Sequence, residues 1–164
     1  MQRQWERCCV VAAAVVTIIG VTDPRPIMGG EKAGGMSGWK VIKETGGKCQ
    51  LSIPGDWSLA MPGVGLAQDP TQKASAAVQT DTLNSWSELK ETAKQLLKPT
   101  AIQEDGPNRF AFTYTYGKPG AHYYVAKRFS GFNCVAQVDL NDAGSAEKYG
   151  SIAKQMIESL DKVP

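Results

Sequence analysis

Ala146, Tyr149, Ile152, Ala153, Met156, Ile157 and Leu160 recur at helical spacing near the C-terminus, and no other periodic signal in the chain is as strong. A helix with an apolar stripe must lay that stripe against another apolar surface. The residues just before it provide one. Phe110, Phe112, Tyr114 and Tyr116 alternate with Ala111, Thr113 and Thr115; a Gly117 to Gly120 turn leads into His122 to Phe129; Ser130-Gly131 leads into Phe132, Cys134, Ala136, Val138 and Leu140. Period-two alternation with such short connections predicts an antiparallel meander of three strands. The sheet is the only large apolar surface on offer, so the chain is predicted to be α+β, an antiparallel sheet with helices packed on it.

The remaining segments extend this sheet. Trp39 to Glu44 reads as extended, Gly46-Gly47 as a turn, and Cys49, Leu51 and Ile53 alternate with polar neighbours up to Pro54. Trp57 and Leu59 continue a short extended piece, Met61 to Lys73 reads as a loop, Ala74 to Thr80 as a strand, and Ile102 to Asp105 as a further strand before the meander. Asn84 or Ser85 can cap a helix that shows Trp86, Leu89, Ala93, Leu96 and Leu97 along one face and stops at Pro99.

The N-terminus has a different character. Arg3 and Arg7 precede an uninterrupted apolar or small-residue run from Cys8 to Val21, the layout of a signal peptide and too short to span a bilayer comfortably, which takes about 20 residues. No clean A-x-A site follows, so cleavage near Gly20 and an uncleaved tether both stay open. Cys8 and Cys9 precede the apolar run, whereas a lipidated Cys must follow it. The predicted organisation is a signal peptide or membrane anchor at 1–21, a flexible Gly- and Pro-rich linker at 22–38, and one folded domain at 39–164. An exported chain then keeps Cys49 and Cys134, an even pair in an oxidising compartment. One disulfide between them is the natural inference, with two buried thiols as the alternative.

Specific stretches resemble the PsbP/Mog-like fold family, which includes an extrinsic photosystem II subunit, Ran-binding proteins and many bacterial relatives. Cys49-Gln-Leu-Ser-Ile-Pro-Gly-Asp-Trp57 is similar to that family's early strand ending in Pro-x-x-Trp, Phe110 to Phe129 to its central hairpin, and Ile152 to Leu160 to its closing helix. The resemblance implies an α/β/α sandwich about an antiparallel sheet of about six strands, and a non-enzymatic role in binding other proteins. It implies neither photosynthesis, whose manganese-cluster context is missing, nor Ran binding, since an exported chain would not meet that partner.

Composition and motifs agree with a role outside catalysis. With 42% hydrophobic and 21% charged residues and a formal charge of +2, the chain reads as a soluble globular protein, and its interspersed charges do not favour nucleic acid. No nucleophile elbow, zinc-helix or P-loop pattern occurs, and the only imidazole, His122, is predicted to be an exposed strand residue. Asp139, Asn141 and Asp142 are better read as capping the last helix than as calcium ligands, and no metal or other cofactor is expected. Trp57, Tyr114, Tyr116, Tyr123 and Tyr124 are the candidates for a binding surface, with core filling as their alternative. The expected function is an exported accessory or protein-binding module of the cell envelope, periplasmic or secreted, with another envelope or extracellular protein as partner. It touches membrane only through an uncleaved leader. The other reading is a small-ligand or lipid carrier with a pocket between sheet and helix, lined by residues such as Trp57 and Leu89.

Overall fold

The computed structural model describes residues 38–61, 63–115 and 120–164. The leader at 1–21, nearly all of the linker and the Tyr116 side of the hairpin turn lie outside the described residues.

Ten strands and two helices follow in the order β1 Trp39–Lys43, β2 Cys49–Pro54, β3 Ser58–Leu59, β4 Leu66–Gln68, β5 Ala74–Asp81, α1 Trp86–Leu97, β6 Pro99–Asp105, β7 Arg109–Tyr114, β8 Ala121–Phe129, β9 Phe132–Leu140, α2 Ala143–Glu158 and β10 Asp161–Lys162. The main sheet has seven strands in the order β3-β4-β5-β9-β8-β7-β6, and a separate three-stranded sheet runs β1-β2-β10. Every described pairing is antiparallel. The expected antiparallel α+β architecture is present, with two differences. The Met61 to Lys73 segment contains β4, and the first two strands leave the main sheet to form a second one with β10.

The helices start and stop for local reasons. Ser85 caps α1 in a reciprocal box with Glu88, satisfying backbone N–H groups that the first turn leaves open. At the other end Lys98 adopts a left-handed conformation, and Pro99 cannot continue the helix. Asp142 caps α2, its carboxylate accepting from the Ser145 N–H at 2.7 Å.

Alternation along the strands divides the interior into two cores. Ala76 and Val78 of β5, Val125 of β8, and Ala136 and Val138 of β9 face α2 together with Ile42, Leu51 and Ile53 of the small sheet. Phe110, Phe112, Tyr114, Tyr124 and Ala126 face the opposite way, against Leu89, Ala93 and Leu97 of α1. One outer layer is therefore α1 alone, and the other combines α2 with the three-stranded sheet. Leu96, expected in the buried stripe of α1, is 51% exposed, because the helix turns its Trp86–Leu89–Ala93–Leu97 line to the sheet.

Candidate functional site

An open concavity lies at one end of the main sheet, a cleft of about 360 Å³ between the β5–α1 connection and the β8–β9 hairpin tip. Both walls are held rigidly. On one side, the Asp81 carboxylate accepts from the N–H groups of Leu83 and Asn84, turning the chain into the helix cap. On the other, Ser130-Gly131 closes the hairpin with Gly131 at φ +81°, a conformation that favours glycine. The walls are tied together where the buried Asn133 amide donates to the Asn84 carbonyl at 3.1 Å.

The lining is aromatic and partly open. Phe129 and Phe132 stack across the hairpin with centroids 5.4 Å apart, and Trp86, half-buried, is oriented by its indole N–H donating to the Gly106 carbonyl at 3.2 Å. Leu83 stands at the rim with 80% of its surface exposed. Arg128 lines the cleft as well, and the Lys48 ammonium sits 5.1 Å from the Phe132 ring centre. Large half-buried rings beside an exposed aliphatic and a cation form a surface able to grip an apolar side chain.

The residues singled out in the sequence are distributed otherwise. Trp57, Tyr114 and Tyr124 are buried outright and Tyr123 is 8% exposed; these four are core, and Tyr116 lies outside the described residues. Burial pushes the Tyr124 phenol well above its ordinary range. His122 is also buried rather than exposed, its Nδ1 lying 2.8 Å from Asp139 Oδ1, to which the Tyr114 hydroxyl also donates at 2.8 Å. Asp139 thus serves this interior network and not the cap of α2, which falls to Asp142. The Tyr114 hydroxyl, which donates to the same carboxylate oxygen that meets the imidazole, ties the three side chains into one hydrogen-bonded group packed against the sheet.

Trp57 and Leu89 lie in different cores, on opposite faces of the main sheet, so they line no common pocket, and the carrier reading loses its site. Among the described residues no group of three or more His, Cys, Asp or Glu gathers to hold a metal. Cys49 and Cys134 come together from different sheets, their Cα atoms 5.5 Å apart, within the span of a disulfide. Both are fully buried, and Cys134 directly follows Asn133, which lines the cleft.

A smaller recess of about 200 Å³ lies at the start of α2, beside Asp69. That buried carboxylate accepts from the Thr71 hydroxyl at 2.6 Å and from the N–H groups of Lys73 and Ala74 at 2.8 and 2.9 Å. Burial opposes its ionisation, but the hydrogen bonds from Thr71, Ala74 and Lys73 outweigh it and hold the pKa below the usual carboxylate value. Its acceptors are occupied from within, which marks a loop anchor.

Against solved structures, the chain superposes on cyanobacterial PsbP (CyanoP) from Synechocystis sp. PCC 6803 with a TM-score of 0.55 over 83% of this chain and 99% of that one, at 9% identity. The fold is PsbP-like. The Ran-binding protein Mog1p of Saccharomyces cerevisiae also matches, with a TM-score of 0.48 over 75% of this chain and 94% of that one, at 12% identity. No family model matches the sequence, and neither does any curated protein. At these identities the likeness concerns the path of the backbone, and a PsbP-like fold leaves function to be argued from the cleft.

Proposed function

We propose that the chain is an exported, non-enzymatic protein-binding module of the cell envelope, closed by a Cys49–Cys134 disulfide, which receives its partner at the cleft between Leu83 and the Phe129–Phe132 hairpin. One observation carries this reading: an aromatic-lined concavity held by two hydrogen-bonded turns, with an aliphatic side chain standing 80% exposed at its rim. Trp86 and Arg128 beside Phe129 and Phe132 supply the residue types that anchor protein interfaces. The basic, then apolar N-terminal layout and the even cysteine pair support export.

Site-specific photocrosslinking tests the reading. A benzophenone side chain at position 83, in cells of the source organism, is expected to yield a discrete adduct with an envelope protein, whereas the same group at Gln155, exposed on α2, yields none. Equal labelling at both positions, or none at 83, removes the cleft as the docking site. Fractionation of the same cells, with the intact mass of the mature chain, tests export independently.

A further inference from the structure

Beyond the last turn of α2, Leu160 is buried in the core and the chain runs back along β2 as β10. β10 consists of Asp161 and Lys162, and both side chains are exposed. Its hold is therefore made by polar groups along the backbone. Asp161 pairs with Gln50 and Lys162 with Cys49, the Val163 N–H donates to the Lys48 carbonyl at 2.8 Å, and the Lys127 ammonium donates to the Leu160 carbonyl at 2.6 Å. A short edge strand held in this way, with neither side chain packed, opens at a lower free energy than the core it borders.

What β10 covers is the cysteine pair. Both sulfur-bearing side chains are fully buried, and the Asp161 carbonyl oxygen lies 3.8 Å from the Cys134 sulfur. The Cys49 sulfur has a different neighbour. There the Thr80 hydroxyl donates to Sγ at 3.3 Å while accepting from the Lys48 N–H at 2.9 Å, and the Asn133 carbonyl oxygen lies 3.8 Å away. Strands β5, β9 and β10 thus all touch the sulfurs, and of these three β10 alone has every side chain exposed. It can leave without opening either core.

We infer that β10 is a strap over the Cys49–Cys134 bond: a dithiol reductant reaches the disulfide when β10 lifts from β2, with the rest of the fold intact. This rests on the disulfide of the reading above and adds how that bond is opened. A thiolate of the reductant attacks the Cys134 sulfur, the one that Asp161 uncovers. The S–S bond breaks and Cys49 leaves as a thiolate, with the Thr80 hydroxyl already aimed at it; a donor on the leaving sulfur favours its charged form. The second thiol of the reductant then attacks the mixed disulfide and releases Cys134. The two cysteines take up the protons that the reductant's thiols gave up, and the dithiol, now a disulfide, has supplied the two electrons. The link between the sheets is then a switch that works in the folded protein, where a fully enclosed bond would yield only on global unfolding.

Reduction of the oxidised full chain by dithiothreitol tests the inference, with Cys49 and Cys134 trapped by alkylation and identified by peptide mass, at urea concentrations where the protein stays folded. The wild-type rate is expected to rise with urea far less steeply than global unfolding does, since lifting so short a strand exposes little surface. Val163→Pro removes the N–H given to Lys48, and Lys127→Met removes the ammonium on Leu160. Each is expected to speed reduction by about fivefold or more while the urea midpoint of the oxidised chain moves little. Thr80→Val is expected to slow reduction by about fivefold, a sign that a merely loosened structure would not give. A wild-type rate that follows the full slope of global unfolding, or strap variants reduced no faster than the wild type, overturns the strap. A Thr80→Val rate at or above the wild type overturns Cys49 as the leaving sulfur. Alkylation of both cysteines before any reductant is added removes the bond itself, a failure of the earlier reading that is distinct from a bond present but opened only by unfolding.

Discussion

Replacing both Cys49 and Cys134 by alanine removes a link between the two sheets without leaving a buried hydroxyl. The cysteines are 85 positions apart, and closing a loop of that size lowers the entropy of the unfolded chain enough to contribute about 4–5 kcal/mol at 25 °C. With a urea m-value of about 2 kcal/mol/M, the middle of the usual range for small domains, the midpoint is expected to fall by about 2 M, with m raised as the unfolded chain expands. The variant is expected to stay folded, because β2 retains its ladders to β1 and β10 and Leu51 and Ile53 stay packed in the core. Urea unfolding followed by Trp fluorescence measures the shift, and a thiol titration of the native and denatured wild type checks that the bond is present. A midpoint within about 0.5 M of the wild type, with the bond confirmed, would refute the loop-entropy argument. Two titratable thiols in the wild type would refute the bond itself.

The indole N–H of Trp57 is buried with no acceptor among the described residues, while its ring meets Tyr149 edge to face at 5.4 Å. Trp57→Phe, which keeps an aromatic and loses no hydrogen bond, is expected to cost about 1–2 kcal/mol against about 3–5 for Trp57→Ala; equal losses in urea unfolding would contradict this. Asp69 has a folded pKa lowered from 3.8, so its stabilisation is present above about pH 4 and is lost as pH falls through the folded value. Asp69→Asn is expected to be about 2–4 kcal/mol less stable at pH 6 and to show a shallower decline below pH 4 than the wild type, with parallel stability–pH curves counting against the assignment.

What could be read from the chain was what hydrophobic periodicity encodes. The α2 stripe and the β7–β9 meander were legible because each buries a regular set of side chains against one surface. β4 was not, since its three residues bury only Ala67 fully, too little for any period. β10 was not either: Asp161 and Lys162 are both exposed and join β2 through the backbone alone, which no hydropathy pattern reports. Yet those two residues complete the second sheet, so the single-sheet expectation failed at a point where the sequence carries no signal. The tyrosines and His122 were misplaced for a different reason. β8 is buried on both faces from His122 to Ala126, and such a strand loses its alternation. The available clue was the absence of any charged residue between Ala121 and Ala126. The cleft joins two turns about 45 positions apart in sequence, so it forms no motif; its only local traces are Leu83 amid polar neighbours and a phenylalanine on each side of Ser130-Gly131.

A surface that binds by shape must keep that shape before the partner arrives, and the cysteine pair is placed to do this. Lys48, whose ammonium lies over the lining ring of Phe132, precedes Cys49; the Thr80 hydroxyl accepts from the Lys48 N–H and lies 3.3 Å from the Cys49 sulfur; Asn133, which lines the cleft, precedes Cys134. The α1 core around Phe112 and Tyr124 lies on the other face of the sheet and shares none of these contacts. If the link acts as a local brace as well as an entropic one, its loss should loosen the cleft first. In the Cys49→Ala, Cys134→Ala variant, under conditions where it remains fully folded, amide exchange at Lys48 and Thr80 is expected to quicken by about tenfold or more, while the ladder at Phe112 and Tyr124 keeps its protection relative to global stability. Protection lost evenly across both regions would mean that the link acts only on the unfolded chain, and the rigidity of the cleft would then have to come from the Asp81 and Asn133 hydrogen bonds alone.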